Sequence, residues 1–195
     1  MAAPSLRLLT PEQYLAAEEK AETKHEYYRG MMLAMAGGST VHSQIGTSVA
    51  AVLWTALRRG PCRVYTSDAR VAAAGDGSHF TYADVVVACG ELRGDNRWRE
   101  TLMSPVLIVE VLSPSTESAD RGRKAIDYRK LESLREYLLI SQFEPRVELY
   151  RRTPGGAWEL LDFTGLDAVI PLASVDCTLA LADAYDKVIF EPEVD

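Results

Sequence analysis

Residues 106–116 of this 195-residue chain, Val106-Leu107-Ile108-Val109-Glu110-Val111-Leu112-Ser113-Pro114-Ser115-Thr116, are the clearest indication of its architecture. The apolar run predicts a buried strand over 106–112, and the Ser-Pro-Ser-Thr segment marks the end of that strand. A helix is predicted from about Ser118 to about Leu131, followed by a second apolar strand over Glu136–Ser141. Strand, helix and strand form a βαβ unit, whose two strands are expected to be parallel.

One long helix and two more strands are predicted before this unit. From Ser39 to about Arg59 the apolar residues recur every three or four positions, which is typical of an amphipathic helix. Strands are predicted over about Arg63–Ala72 and Tyr82–Ala88, and their short connections favour antiparallel pairing. The chain is therefore expected to form one α/β (α+β) domain over its whole length, with a mixed β-sheet flanked by helices.

The two ends of the predicted domain add a helix and a hairpin. Thr10, followed by Pro11 and by Gln13, predicts a helix start with a capping box. Strands are predicted over Val147–Arg151 and Trp158–Phe163, with turn residues between them. No repeat or low-complexity linker separates these elements, which favours a single domain.

The bulk composition is that of an ordinary globular protein. Hydrophobic residues make up 47% and charged residues 25% of the chain. No apolar run reaches the roughly 18 residues of a membrane span, and the N-terminus lacks the apolar stretch of a signal peptide, so a cytoplasmic protein without a membrane partner is expected. The three cysteines, Cys62, Cys89 and Cys177, are far apart and suggest neither a disulfide framework nor a zinc site.

The net charge of −7 argues against a strong non-specific nucleic-acid-binding protein, which usually carries a basic face. An enzyme that meets phosphate through metal ions is still compatible with it, because bound cations supply positive charge that the sequence does not show. The basic residues cluster at Arg93, Arg97 and Arg99, and again at Arg121, Arg123 and Lys124. Each cluster is either a solvated face or part of a binding surface.

Two carboxylates lie in unusually apolar sequence. Asp84 belongs to Thr81-Tyr82-Ala83-Asp84-Val85-Val86-Val87, and Glu110 belongs to the strand quoted first. Burying an unpaired carboxylate costs several kcal/mol, on the order of its desolvation free energy, so a basic side chain, backbone amides or a metal ion must compensate. The alternative is that each acid lies at a strand end, where it reaches solvent or caps a helix.

The spacing along the strands favours a metal site. Side chains alternate between the two faces of a strand, so Ile108, Glu110 and Leu112 share one face. Two acids on neighbouring strands that face the same way can bind a hard divalent cation such as Mg²⁺ through their oxygen atoms. Such an ion can activate water and hold a phosphate for in-line attack.

Other catalytic signatures are absent from the sequence. There is no G-x-S-x-G segment and no phosphate-binding G-x-x-x-x-G-K loop, and His25-Glu26 lacks the second histidine of a zinc-binding H-E-x-x-H segment. Gly38-Ser39 precedes the long predicted helix, where an anion could bind, but capping is the favoured role for this serine.

Several segments together resemble a known family. An Asp on one strand followed by Glu-x-Lys on the next is the signature of the PD-(D/E)XK nuclease superfamily, and residues 10–185 more specifically resemble the Uma-two (Uma2) restriction-endonuclease family. The segments that carry the resemblance are Lys24–Gly30, the helix that contains His42, Tyr82–Val87, Val109–Thr116 and Asp120–Tyr128. The resemblance implies a restriction-endonuclease-like fold, dependence on Mg²⁺ or Mn²⁺, and DNA as the substrate, cleaved to 5′-phosphate and 3′-hydroxyl ends.

The chain departs from the superfamily signature at two positions. Ala83 stands where the signature has a proline, which affects only the shape of the backbone. Leu112 stands where the signature has a lysine that would polarise the attacking water or the scissile phosphate. Lys124, on the following helix, is the candidate replacement. Its alternative role is an ion pair with Asp120, four residues earlier on the same helix.

The remaining candidates come from the resemblance and from position. Glu26 resembles an additional acid that some of these nucleases present to the metal, and its alternative is a surface acid beside Lys24. His42 opens the long helix and is either a proton carrier or a polar neighbour of the site. Tyr128 and Gln44 are candidates for contacts behind the catalytic residues.

The leading hypothesis is an Mg²⁺- or Mn²⁺-dependent endonuclease. In it, Asp84, Glu110 and Glu26 would bind the metal, and Lys124 would stabilise the charge that develops on the phosphate. The alternative from another class is a catalytically inactive protein that keeps the fold to bind nucleic acid or a protein, which the leucine at the lysine position and the acidic net charge favour. A third possibility is hydrolysis of RNA or of a small phosphodiester by the same acids.

A homodimer is a further expectation, because two copies related by a two-fold axis can cut both strands of a duplex. The exposed part of the apolar stretch Leu166–Val188 is the candidate interface.

Overall fold

A computed structural model describes residues 8–35, 37–90, 98 and 100–190. The helices are α1 (Pro11–Glu18), α2 (Thr40–Leu57), α3 (Glu117–Ala119), α4 (Ala125–Tyr128) and α5 (Leu181–Ala184), and a π-helical turn (Asp120–Lys124) joins α3 to α4. The strands are β1 (His25–Tyr28), β2 (Met31–Ala34), β3 (Cys62–Thr66), β4 (Arg70–Ala72), β5 (His79–Thr81), β6 (Val85–Cys89), β7 (Thr101–Leu102), β8 (Leu107–Leu112), β9 (Glu136–Ser141), β10 (Arg146–Arg152), β11 (Trp158–Thr164), β12 (Val169–Leu172) and β13 (Cys177–Ala180). No helix within these described ranges is long and apolar enough to cross a membrane.

The larger sheet contains the predicted βαβ unit. Its strand order is β11-β10-β9-β8-β6-β3. Strands β8 and β9 are parallel, with Leu107 opposite Glu136, and the helical segment from α3 to α4 connects them. Strand β6 pairs antiparallel with both β3 and β8, and β10 pairs antiparallel with both β9 and β11. The predicted mixed sheet flanked by helices is therefore confirmed.

The prediction of one strand over Arg63–Ala72 is wrong, because this segment forms two strands in different sheets. Strand β3 ends at Thr66, whose carbonyl accepts a hydrogen bond from the Ala69 amide at 2.9 Å, and β4 begins directly after this turn. Strand β4 belongs to a second sheet with the order β2-β1-β5-β4-β7. Ser67-Asp68, between the two strands, is a typical turn sequence that breaks the predicted strand.

The long helix predicted from Ser39 to Arg59 is confirmed as α2. The Ser39 side chain caps it by accepting a hydrogen bond from the His42 amide at 3.0 Å, so capping is the observed role of this serine. The apolar stripe of α2 is buried through Ile45, Val49 and Leu53. The capping box of α1, between Thr10 and Gln13, is also present.

The centre of the larger sheet is covered on both faces. Every residue of β8 is buried. Val109 and Val111 pack with α2 in one apolar cluster, and Ile108 and Leu112 pack in another cluster on the opposite face. Burial on both faces explains why this strand reads as an uninterrupted apolar run. Because side chains alternate, Glu110 lies on the face of Ile108 and Leu112.

The pairing of two cysteines differs from expectation. Cys62 and Cys89 form a disulfide bond with an S–S distance of 1.99 Å, because the pairing of β3 with β6 sets these two residues opposite each other. The expectation of unpaired cysteines is therefore wrong for this pair. Most large apolar side chains of the candidate interface Leu166–Val188 pack into the core, which leaves Leu166 and Val169 as its markedly exposed members.

Candidate active site

Asp84 and Glu110 lie side by side where β6 begins. The sequence predicted Asp84 inside a strand over Tyr82–Ala88, but Asp84 directly precedes β6 in the structure. Val85 pairs with Val109, so the same register continued by one residue sets Asp84 opposite Glu110. Both acids line one cavity of about 540 Å³. The predicted proximity of the two acids on one face is therefore observed.

Asp84 is held through one of its two oxygen atoms. Its Oδ2 accepts a hydrogen bond from the Val111 amide at 2.7 Å and lies 3.2 Å from His42 Nε2. Its Oδ1 accepts no hydrogen bond from any residue that the structure describes. The hydrogen bond with Asp84 raises the pKa of His42 above its usual value, although burial opposes the shift. His42 is thus a direct partner of Asp84, and the cap on α2 positions it.

Glu110 is almost fully buried, with 3% of its surface exposed. Its Oε1 accepts hydrogen bonds from Lys124 Nζ at 3.2 Å and from the Tyr128 hydroxyl at 2.9 Å. Its Oε2 has no hydrogen-bond partner among the described residues. Burial raises the pKa of Glu110 well above its usual value, and the nearby Lys124 only partly offsets this effect. The carboxylate is therefore half satisfied, and the residue lines the cavity.

Lys124 lies between three carboxylates. Its Nζ is 3.0 Å from Glu26 Oε1, 3.0 Å from Asp120 Oδ1 and 3.2 Å from Glu110 Oε1. Burial alone would lower the pKa of Lys124, but these three carboxylates raise it well above its usual value. The ammonium group is therefore charged. The ion pair with Asp120, one of the two roles considered for Lys124, is therefore observed, and Lys124 also contacts Glu110.

The π-helical turn positions Asp120 and Lys124. Turns of this kind are rare and are frequent at functional sites. The Tyr137 hydroxyl stabilises the turn by donating a hydrogen bond to the Asp120 carbonyl at 3.0 Å. The Asp120 side chain is buried and lines the cavity, and burial raises its pKa. The sequence predicted Asp120 only as an ion-pair partner, so its membership of the acid cluster was missed.

Glu26 reaches the cavity from β1 of the second sheet. It is buried, so the alternative of a surface acid is wrong. Its Oε2 lies 3.9 Å from an Nη atom of Arg123, which also lines the cavity. Gln44 does not contribute, because its side chain donates to the Asp186 carbonyl at 2.7 Å and is not part of the cavity wall.

The structure describes only one of the two basic clusters noted in the sequence. Arg121 forms ion pairs with Glu117 and Glu148, whereas Arg123 and Lys124 line the cavity. The second cluster is therefore divided between the surface and the site. The other cluster, Arg93, Arg97 and Arg99, lies outside the described residues.

The donor set of the cavity suits a hard divalent cation. Four carboxylates, those of Glu26, Asp84, Glu110 and Asp120, line it together with two cationic side chains, Arg123 and Lys124. The acids outnumber these two cationic side chains, and a divalent cation would offset the excess of acidic groups. The unpartnered oxygens of Asp84 and Glu110 are hard ligands of the kind that Mg²⁺ and Mn²⁺ prefer.

The acids are not arranged as a finished metal site. No three His, Cys, Asp or Glu side chains within the described ranges are grouped closely enough to hold a metal ion. The Lys124 ammonium lies between three of the acids instead. The residues fit a divalent cation by donor type and charge, and binding would require Lys124 to give up part of its contacts.

The chain is similar to known proteins over most of its length. Residues 11–182 match the model of the Uma2 family, described as "putative restriction endonuclease". Two relatives come from Synechocystis sp. (strain ATCC 27184 / PCC 6803 / Kazusa). The uncharacterized protein slr1290 is 35% identical over 182 residues, which cover 93% of this chain and 94% of the relative. The uncharacterized protein sll1609 is 33% identical over 170 residues, which cover 87% and 96% respectively.

A solved structure also matches over nearly the whole chain. It is the crystal structure of a putative nuclease belonging to DUF820 from Anabaena variabilis ATCC 29413, with a TM-score of 0.76 and 20% sequence identity. The match covers 93% of this chain and 99% of that chain. The likeness confirms the predicted nuclease-type fold.

Proposed function

Because the chain belongs to the Uma2 family of putative restriction endonucleases, we propose that it is a metal-dependent endonuclease that hydrolyses phosphodiester bonds in DNA. The observation that supports this proposal most directly is the convergence of Glu26, Asp84, Glu110 and Lys124 on one cavity. These are the four residues that the sequence predicted, and they come from distant parts of the chain.

Asp84, Glu110 and Glu26 are the proposed ligands of Mg²⁺ or Mn²⁺. A divalent cation held by them would supply a Lewis acid for a phosphate oxygen and an activated water molecule. The protein's own contribution is to orient the ligands. The Val111 amide and His42 hold Asp84 through Oδ2, and this leaves Oδ1 directed away from them.

Lys124 is the proposed group that stabilises negative charge on the phosphate as the bond is cleaved. Its contact with Glu110 supports this role, because the lysine of the superfamily signature is replaced by Leu112, which packs in an apolar cluster. Lys124 reaches the same glutamate from the helix after β8. Asp120 keeps its ammonium group in the cavity through the 3.0 Å contact described above.

The substitution Asp84→Asn tests the proposal. It keeps the size of the side chain and removes the negative charge, so nicking of supercoiled plasmid DNA in Mg²⁺ should fall to background. The matched control is Asp162→Asn, an exposed aspartate on β11 that pairs with Arg146, which should nick at the wild-type rate. Undiminished nicking by a folded Asp84→Asn protein would contradict the proposal.

The role of Lys124 has its own test. Lys124→Met keeps the length of the side chain and removes the charge, so nicking should be lost even when the metal is saturating. Lys130→Met is the matched control, since Lys130 is half exposed and pairs with Asp127 outside the cavity. If both variants fold and nick alike, Lys124 does not act on the phosphate.

A further inference from the structure

Glu110 has two hydroxyl-bearing residues behind it that the proposed function does not yet use. The Tyr128 hydroxyl lies 2.9 Å from Glu110 Oε1 and 2.8 Å from Thr81 Oγ1, so the three side chains form a continuous chain. Tyr128 and Thr81 are fully buried. Thr81 ends β5 of the second sheet, and Tyr128 ends α4, so the chain links three separate elements.

We infer that Tyr128 is a positioning residue which, directed by Thr81, fixes the Glu110 carboxylate so that its second oxygen faces the metal-binding cavity. This inference rests on the proposed function, because it assigns the two residues to the same metal site. Neither residue touches the substrate or the reacting atoms in this account. Their effect acts through the orientation of Glu110.

The direction of the hydrogen bonds that join Thr81, Tyr128 and Glu110 depends on which of these groups carries a proton to donate. An ionised carboxylate has no proton to give, so the single proton of the Tyr128 hydroxyl is donated to Glu110. The Thr81 hydroxyl must then donate to the Tyr128 oxygen. With Glu110 ionised, as a metal ligand would be, Thr81 donates to Tyr128 and Tyr128 donates to Glu110 Oε1.

The position of the Tyr128 ring is set by packing. Its ring meets Tyr137 edge-on, with 5.2 Å between the ring centroids, within the apolar cluster that also contains Leu112. A phenol held in this way cannot follow a moving carboxylate. The hydroxyl consequently defines one fixed point for Glu110 Oε1.

Lys124 alone would not fix the carboxylate. Its Nζ donates one hydrogen bond to Glu110 Oε1 and lies close to Glu26 and Asp120 as well, and a single donor of this kind allows a carboxylate to pivot about the contact. Two donors on Oε1, from different directions, prevent this pivot. Without Tyr128, both oxygens of Glu110 could turn toward Lys124, and Oε2 would leave the cavity.

The test compares the Mg²⁺ concentration at the midpoint of the metal-induced rise in melting temperature. Partners behind a metal ligand typically change metal affinity by about 10- to 100-fold, so Tyr128→Phe should raise the midpoint by about tenfold. Thr81→Val should raise it by a smaller factor, and Thr81→Ser, which keeps the hydroxyl, should restore the wild-type midpoint. Nicking by Tyr128→Phe should recover at saturating Mg²⁺, because only the affinity is changed.

Tyr185→Phe is the matched control for loss of a buried phenol. Its hydroxyl lies 2.8 Å from the Ser141 carbonyl and outside the cavity wall, so the variant should lose stability with an unchanged midpoint. If Tyr128→Phe and Thr81→Val behave like this control, both residues are only structural and the inference is overturned. A wild-type protein that shows no response to Mg²⁺ or Mn²⁺ would overturn the proposed function together with the inference.

Discussion

Glu110 and Glu136 are buried glutamates on the paired strands β8 and β9, and they have opposite surroundings. Glu110 is 3% exposed and Glu136 is 1% exposed. Glu136 accepts hydrogen bonds from Arg151 Nε at 2.9 Å, from the Ala173 amide at 3.2 Å and from the Ser174 amide at 3.1 Å. The Ser174 hydroxyl also donates to it. Both of its oxygens are therefore satisfied by the protein.

The Glu110 carboxylate, in contrast, is not fully hydrogen-bonded by the described residues. One oxygen has two donors, and the other has none among the described residues, while other carboxylates lie nearby. A buried carboxylate that is fully hydrogen-bonded stabilises the fold around it, whereas a half-satisfied one carries an unfavourable free energy that a cation could relieve. The two acids are equally buried, and they differ in that Glu110 lines the cavity and has one oxygen without a hydrogen-bond partner among the described residues.

Exchanging each glutamate for glutamine should give the sharpest contrast. Glu110→Gln should abolish plasmid nicking and the stabilisation by Mg²⁺, because it removes a ligand charge while the protein still folds. Glu136→Gln should keep both responses, because Glu136 does not line the cavity. Nicking assays and melting curves with and without metal measure these outcomes. A metal response that survives in Glu110→Gln would remove the distinction between the two acids.

Glu136→Ala should have the larger effect on stability. It removes the carboxylate that pairs with Arg151 and accepts hydrogen bonds from the Ala173 and Ser174 amides, and losing such partly buried hydrogen bonds costs about 2 kcal/mol. Urea unfolding would measure the loss. A decrease well below 1 kcal/mol would mean that Glu136 does not anchor the segment at Ala173 and Ser174.

His79 is a third buried group in which only one of two polar atoms is hydrogen-bonded among the described residues. Its Nδ1 lies 2.8 Å from Asp127 Oδ2, and its Nε2 has no partner in the described part of the chain. Burial lowers the pKa of His79 below its usual value, although Asp127 opposes the shift. The unfolded chain therefore binds this proton at a higher pH than the folded protein does.

The lowered pKa of His79 makes the free energy of unfolding depend on pH. The contribution of His79 to stability is complete above the unfolded pKa of about 6.5, and it decreases as the pH falls from there to the lower pKa of the folded protein. His79→Gln should remove this part of the pH dependence and no other. Urea unfolding at a series of pH values from 7.5 down to 5 would show it, and parallel curves for wild type and variant would contradict it.

Local pattern predicted most of the fold. The apolar stripe predicted α2, and the runs around Glu110 and over Glu136–Ser141 predicted two adjacent parallel strands, because periodicity and length are local properties. The prediction of one strand over Arg63–Ala72 was wrong because the turn at Ser67-Asp68 divides it, and the two resulting strands pair in different sheets. The disulfide of Cys62 with Cys89 depends on the same long-range register, which spacing alone does not reveal.

The candidate site was predictable only in part. Asp84 and Glu110 were visible as acids in apolar runs, and the family resemblance indicated Glu26 and Lys124. The link from Thr81 to Glu110 was not predictable, because it depends on how the second sheet packs behind α4. The position of Asp120 in the acid cluster likewise depends on the π-helical turn, which residue spacing does not distinguish from an α-helix.

The most direct test of the central claim is a titration of Mg²⁺ and Mn²⁺ into the wild-type protein and into the double variant Asp84→Asn, Glu110→Gln. Melting temperature and nicking of supercoiled plasmid would be followed in the same samples. If Asp84 and Glu110 hold the metal, Mg²⁺ or Mn²⁺ should stabilise the wild type and permit nicking, and the double variant should show neither response. A wild type that neither gains stability nor nicks DNA, or a double variant that does both, would contradict it.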